Sequence, residues 1–92
     1  MLKEVVKEEK ELELLDAVDD GLKVVLYNDD VNTFDWVIEC LCELCEHDEI
    51  QAEQCAVLVH NKGKAVVKTG EEDKMRSICQ ALCDRGLSAL VE

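Results

Sequence analysis

The spacing of apolar and polar positions changes character at Asp19-Asp20-Gly21. Before that point Leu2, Val5, Val6, Leu12 and Leu15 lie scattered among charges, enough for a frayed helix, and no aromatic residue occurs. A stretch with so little to bury reads as a mobile acidic extension over residues 1–20. After it, Leu22-Lys23-Val24-Val25-Leu26-Tyr27 is β-branched and aliphatic and stops at the turn cluster Asn28-Asp29-Asp30, which predicts a strand. Apolar residues then recur at helical spacing at Phe34, Val37, Ile38, Leu41 and Cys45. Asn32, with Asp35 three residues on, has the manner of a capping box at the start of that helix.

Asp48 with Gln51 starts a second helix, whose buried face is expected to hold Ala52, Cys55, Ala56 and Val59. Gly63 follows Asn61-Lys62 where a left-handed residue would end it. Ala65, Val66 and Val67 predict a strand over residues 64–69. Thr69 with Glu72 then caps a third helix with the stripe Met75, Ile78, Cys79 and Leu82, closed by Gly86. Residues 87–91 form a last short strand. The order βααβαβ predicts an α+β two-layer sandwich, a small three-stranded antiparallel sheet covered on one face by three helices. Proline is absent, so glycine and polar caps must stop every helix.

Length and charge narrow the function. Ninety-two residues allow one small domain, here residues 21–92, beside the extension. A chain of this size buries only about 60% of its unfolded surface, leaving little room for an enclosed active site. Ten Lys and Arg stand against 22 Asp and Glu, a net charge of −12. Three Lys and eight acids of that count, a net −5, fall in residues 1–20. Such a charge repels phosphate backbones, which argues against nucleic acid as a partner. No apolar run approaches the roughly 20 residues of a membrane span. The first residues carry charges throughout, unlike a signal peptide, so the expected compartment is the cytoplasm.

Six cysteines raise disulfide and metal chemistry, but a reducing compartment disfavours the first. Cys40, Cys42, Cys45 and His47 form one loose group without the second ligand pair that a closed zinc site needs. Cys79 and Cys83 are four apart, Cys55 stands alone, and Cys40 and Cys45 occupy apolar positions where free cysteine acts as a small hydrophobe. Neither metal nor cofactor is expected; a zinc module would show itself as stoichiometric metal in purified protein. Ser77 and Ser88 lie in no nucleophile-elbow context, no glycine-rich phosphate loop exists, and no Cys–His pair sits in an electropositive setting. Catalysis is therefore not expected.

Asn28-Asp29-Asp30 with Asn32-Thr33, and His60 near a helix end, each have an ordinary explanation as turn, cap and structural histidine. Together they gather hydrogen-bond acceptors beside apolar residues. That suits a cation attached to a hydrophobe, such as a free α-amino group carrying a large side chain.

Three segments carry a specific resemblance: Tyr27-Asn28-Asp29-Asp30, Phe34-Asp35-Trp36-Val37-Ile38-Glu39, and Gln54-Cys55-Ala56-Val57-Leu58-Val59-His60-Asn61-Lys62-Gly63-Lys64-Ala65. They resemble the ClpS family, adaptors that deliver N-end-rule substrates to the Clp AAA+ protease, and the likeness spans roughly residues 22–92. It implies that Asn28 and His60 hydrogen-bond the substrate's α-ammonium. It implies that Asp29 helps hold the bound backbone, partly through water, with Asp30 at the rim. Asn32, commonly Thr in the family, would contact the substrate backbone, and Val37, Val59 and Leu87 would form the apolar wall. Phe34, at the gatekeeper position, and Ala56 stand where Met is common, one adding bulk and the other removing it. The side chains such a pocket takes are Leu, Phe, Tyr and Trp.

The resemblance further implies that residues 1–20 match the extension fed into the pore of a ClpA/ClpC-type unfoldase. Glu71, Glu72 and Lys74 fall roughly where the family docks, and the expected state is a monomer. Cys42 matches a surface position and is the one thiol expected to be exposed. The alternative is a protein-interaction domain of the same fold, like the C-terminal domain of the ribosomal stalk protein. That domain lacks the paired NDD and His signature.

Overall fold

The computed structural model describes residues 21–92. The reading of residues 1–20 as a mobile, helix-prone extension lies outside them. The elements run β1 (Leu22–Tyr27), α1 (Phe34–Leu44), α2 (Glu49–Lys62), β2 (Lys64–Gly70), α3 (Glu72–Asp84) and β3 (Ser88–Val91). This is the expected βααβαβ order. The sheet is antiparallel with β1 in the middle, in the order β2-β1-β3. Val24 and Leu26 of β1 point into a core with Val67, Ala89, Leu41, Met75 and Leu82, so the helices cover one face of the sheet. The register slips between Val24 and Val25, a bulge that lets Val25 face Val66 and Leu90 across the other side.

Helix ends follow the sequence at three points and depart from it at two. Asp48 caps α2 by accepting from the Gln51 N–H at 2.7 Å. Gly63 and Gly86 both take positive φ, 90° and 88°, where a side chain would be strained. The cap of α1, however, is Thr33 and not Asn32: Thr33 Oγ1 accepts from Trp36 N at 3.1 Å. Asn32 is unavailable because its side chain is bound to Asp29 and to the Gly86 carbonyl. Thr69 does not cap α3 either. It stays in β2 opposite Lys23, the strand continues to Gly70, and the cap position falls to Glu71, which makes no side-chain cap bond.

The cysteines are all free. Cys40 and Cys45 are fully buried, and burial pushes the Cys45 thiol up to about 11. Cys55 is half-buried at the core margin. The exposed thiol is Cys83, in the last turn of α3, and not Cys42, which is half-buried because it packs against the core from α1. Among the described residues, no three of His, Cys, Asp and Glu are grouped to hold a metal ion. None of the described helices is long and apolar enough to cross a membrane.

Candidate functional site

A cavity of about 280 Å³ opens at the end of β1. The ten residues singled out in the sequence all line it: Asn28, Asp29, Asp30 and Asn32 from the loop after β1, Phe34 and Val37 from α1, Ala56, Val59 and His60 from α2, and Leu87 before β3. Helical geometry explains the grouping, since 34 and 37 share one face of α1, and 56, 59 and 60 share one face of α2. Leu26 and Tyr27 line it as well. Sequence reasoning passed over these two as strand residues, although their place directly before the polar cluster was signal enough. The volume falls just below the range of about 300–1,000 Å³ typical of small-molecule sites, which fits one side chain and its backbone.

The loop carrying the polar residues is tied down at both ends by the two left-handed glycines. The Asn28 N–H donates to the Gly63 carbonyl at 2.9 Å, and Asn32 Nδ2 donates to the Gly86 carbonyl at 2.9 Å. Between these anchors the Asp29 carboxylate organises the turn. Its Oδ1 accepts from the N–H groups of Val31 and Asn32, both at 2.9 Å, and its Oδ2 accepts from Asn32 Nδ2 and the Ser88 hydroxyl. The Asn32 backbone N–H is the main reason that Asp29 is held below the ordinary aspartate value of 3.8, against a smaller opposing effect of burial.

The polar residues thus divide into two groups. Asp29 and the amide nitrogen of Asn32 are engaged in building the loop, so Asn32 has its side-chain oxygen, but not its N–H groups, to offer a ligand. Asn28, Asp30 and His60 make no side-chain hydrogen bond or ion pair among the described residues, and all three are exposed. The cavity therefore presents unpaired acceptors and negative charge on one side and an apolar wall on the other. Phe34 is 41% exposed at the edge, whereas Ala56 and Val59 are buried in the wall. Trp36 supports this edge from behind, its indole N–H donating to the Arg85 carbonyl at 3.1 Å and joining α1 to the end of α3.

Glu71, Glu72 and Lys74 are outside this cavity, exposed together at the start of α3. Glu72 pairs with Arg76 at 2.9 Å, and Lys74 reaches Glu46 at 3.8 Å.

A family model described as ATP-dependent Clp protease adaptor protein ClpS matches residues 18–89. The ClpS adapter protein of Nocardia farcinica is 34% identical over 80 residues, 87% of this chain and 76% of that protein. That of Rhodococcus jostii is 29% identical over 85 residues, 92% of this chain and 76% of that protein. Among solved structures, Agrobacterium tumefaciens ClpS2 bound to L-phenylalaninamide is similar with a TM-score of 0.75 at 26% identity, covering 78% of this chain and 94% of that one.

Proposed function

The chain belongs to the ClpS family of ATP-dependent Clp protease adaptors, and on that premise we propose that its cavity captures the free N-terminal residue of proteins to be degraded. One observation carries the reading. The acceptors left without partners, Asn28, Asp30 and His60, stand on the same cavity as an apolar wall of Val37, Ala56, Val59 and Leu87. An N-terminal residue with a large apolar side chain is a cation joined to a hydrophobe, and it answers both halves. Asn28 and His60 accept from the ammonium, Asp29 and Asp30 supply the negative field, and the Asn32 oxygen accepts from the next backbone N–H. The side chain, of the Leu, Phe, Tyr and Trp class, fills the wall beneath Phe34. The structural relative carries L-phenylalaninamide, a free α-amino group on an aromatic side chain, which supports the same ligand chemistry here.

In this reading residues 21–92 bind and residues 1–20 serve delivery. The adaptor works as a cytoplasmic monomer with a ClpA/ClpC-type unfoldase, and Glu71, Glu72 and Lys74 make the contact. The test is a binding series of short peptides that differ only in their first residue, each with a free and an acetylated N-terminus. Free Phe, Tyr, Trp or Leu peptides bind. Acetylation leaves the acceptors that the bound peptide covers without their ammonium partner, at about 1–3 kcal/mol per group, and abolishes measurable binding. Equal affinity for acetylated peptides would overturn the assignment.

A further inference from the structure

Away from the cavity, the outer side of the α1/α2 pair is built unlike a surface that faces only water. Helix α2 is apolar on two sides. Ala52, Ala56 and Val59 face inward, while Ile50, Val57 and Leu58 are 71%, 41% and 46% exposed. Positions 50, 54, 57 and 58 recur at three- and four-residue steps, so the exposed residues form one stripe. Beside it, Ile38 and Cys42 of α1 join Ile50 in a groove between the helices. A shallower depression at Gln54, Val57 and Leu58 continues it, with Glu53 common to both. Isolated exposed apolar residues are ordinary, but a strip shared by two helices marks an interaction site.

The rim decides what can occupy it. Asp35, Glu39, Glu43, Glu49 and Glu53 border the groove, and no Lys or Arg lines it. Only Glu43 of the five is in an ion pair among the described residues, with Arg85 at 2.5 Å. A second copy would set these carboxylates against themselves. Residues 1–20 hold eight acids against three Lys, and nucleic acids and anionic lipid surfaces are repelled for the same reason. We propose that the α1/α2 groove docks an amphipathic helical segment of a partner protein, one whose apolar strip is flanked by Lys or Arg. The strip covers Ile38, Ile50, Val57 and Leu58, and the flanking cations meet the acidic rim. The groove shares no lining residue with the cavity, so its occupant does not depend on capture of an N-terminal residue.

The probe is an N-acetylated peptide of about 14 residues, roughly four helical turns, with Leu at helical spacing and Lys elsewhere. A scrambled peptide of the same composition is its control. Binding to the full chain is read by fluorescence anisotropy and by amide chemical shifts. The amphipathic peptide binds at least about tenfold more tightly than the scrambled one, and the shifted amides gather on α1 and α2. Replacing Ile50→Ser together with Val57→Ser, both exposed, weakens it by about tenfold. Glu39→Gln with Glu53→Gln weakens it and flattens its salt dependence. The proposal is overturned if the scrambled peptide binds equally well, or if the shifts gather on α3 or the cavity loop. It is also overturned if the full chain proves to be a dimer that the Ile50→Ser, Val57→Ser variant dissociates, since the occupant is then a second copy.

Discussion

Asp29 and Asn32 differ from their neighbours in that their side chains face each other before they face any ligand. The Asp29 carboxylate gathers two backbone N–H groups and the Asn32 amide, and Asn32 in turn holds Gly86. Removing this carboxylate does not change the apolar wall, yet it frees the segment that carries Asn28. Asp29→Ala is expected to weaken peptide binding by at least about tenfold, with Leu, Phe, Tyr and Trp all affected alike, as measured by anisotropy. The same group makes stability pH-dependent. Its pKa is lowered on folding, so its contribution is complete above the unfolded value, about 3.9, and is lost as pH falls through the lower folded value. Urea midpoints compared at neutral and acid pH should therefore fall less in Asp29→Asn than in the parent; an equal fall would remove Asp29 as the cause. In the proposed reading Phe34 acts on selection instead. Phe34 is 41% exposed at the cavity edge, where a ligand branched at Cβ is expected to collide with it. Phe34→Ala is expected to admit Ile and Val peptides while costing the aromatic ones less than about tenfold.

The caps show at the scale of elements how far local sequence reaches. Asp48 and Gly63 bound α2 through contacts within four residues, and both were legible in the chain. Asn32 and Thr33 are both able to cap α1, and the choice is made by the Gly86 carbonyl, 54 positions away, which no local pattern reveals. Thr69-x-x-Glu72 satisfies a capping pattern, but pairing with Lys23 keeps Thr69 in the sheet. The cavity residues were legible as a set because the resemblance supplied their relation; the anchoring of their loop to Gly63 and Gly86 was not. The outer groove went unread because the spacing of Ala52, Ala56 and Val59 accounted for α2 and left Ile50, Val57 and Leu58 as surface. Cap strength can be measured directly. Asp48→Ala should destabilise by about 1 kcal/mol. Glu71→Asp keeps the charge and brings a shorter carboxylate within reach of the uncapped N–H groups, and should stabilise by about 0.5–1 kcal/mol. Chemical denaturation of both variants checks the pair.

For the whole molecule the charge is unevenly divided. Of the net −12, residues 1–20 carry −5 and residues 21–92 the remaining −7. The described cations lie on the sheet, at the end of α2, on α3 and just past it at Arg85, and the charged residues that line the α1/α2 groove are all acidic. Self-repulsion of this kind is screened by salt, so the thermal midpoint should rise with ionic strength over the range in which the Debye length shrinks from about 30 to about 10 Å. In the proposed reading the division also separates capture from delivery. The described residues that line the cavity, from Leu26 to Leu87, already supply both its acceptors and its apolar wall. Deleting them should leave the affinity for a free N-terminal Phe peptide unchanged within about twofold, or about 0.4 kcal/mol. In the proposed reading the handover step is different, because an unfoldase pulls on a chain segment that the folded residues 21–92 do not offer. The shortened adaptor should therefore still bind substrate but no longer speed its degradation by a ClpA/ClpC-type protease. Measuring both quantities on one preparation separates the roles. Lost affinity would place part of the binding site in residues 1–20, and full degradation without them would assign delivery to the α3 surface around Glu71, Glu72 and Lys74.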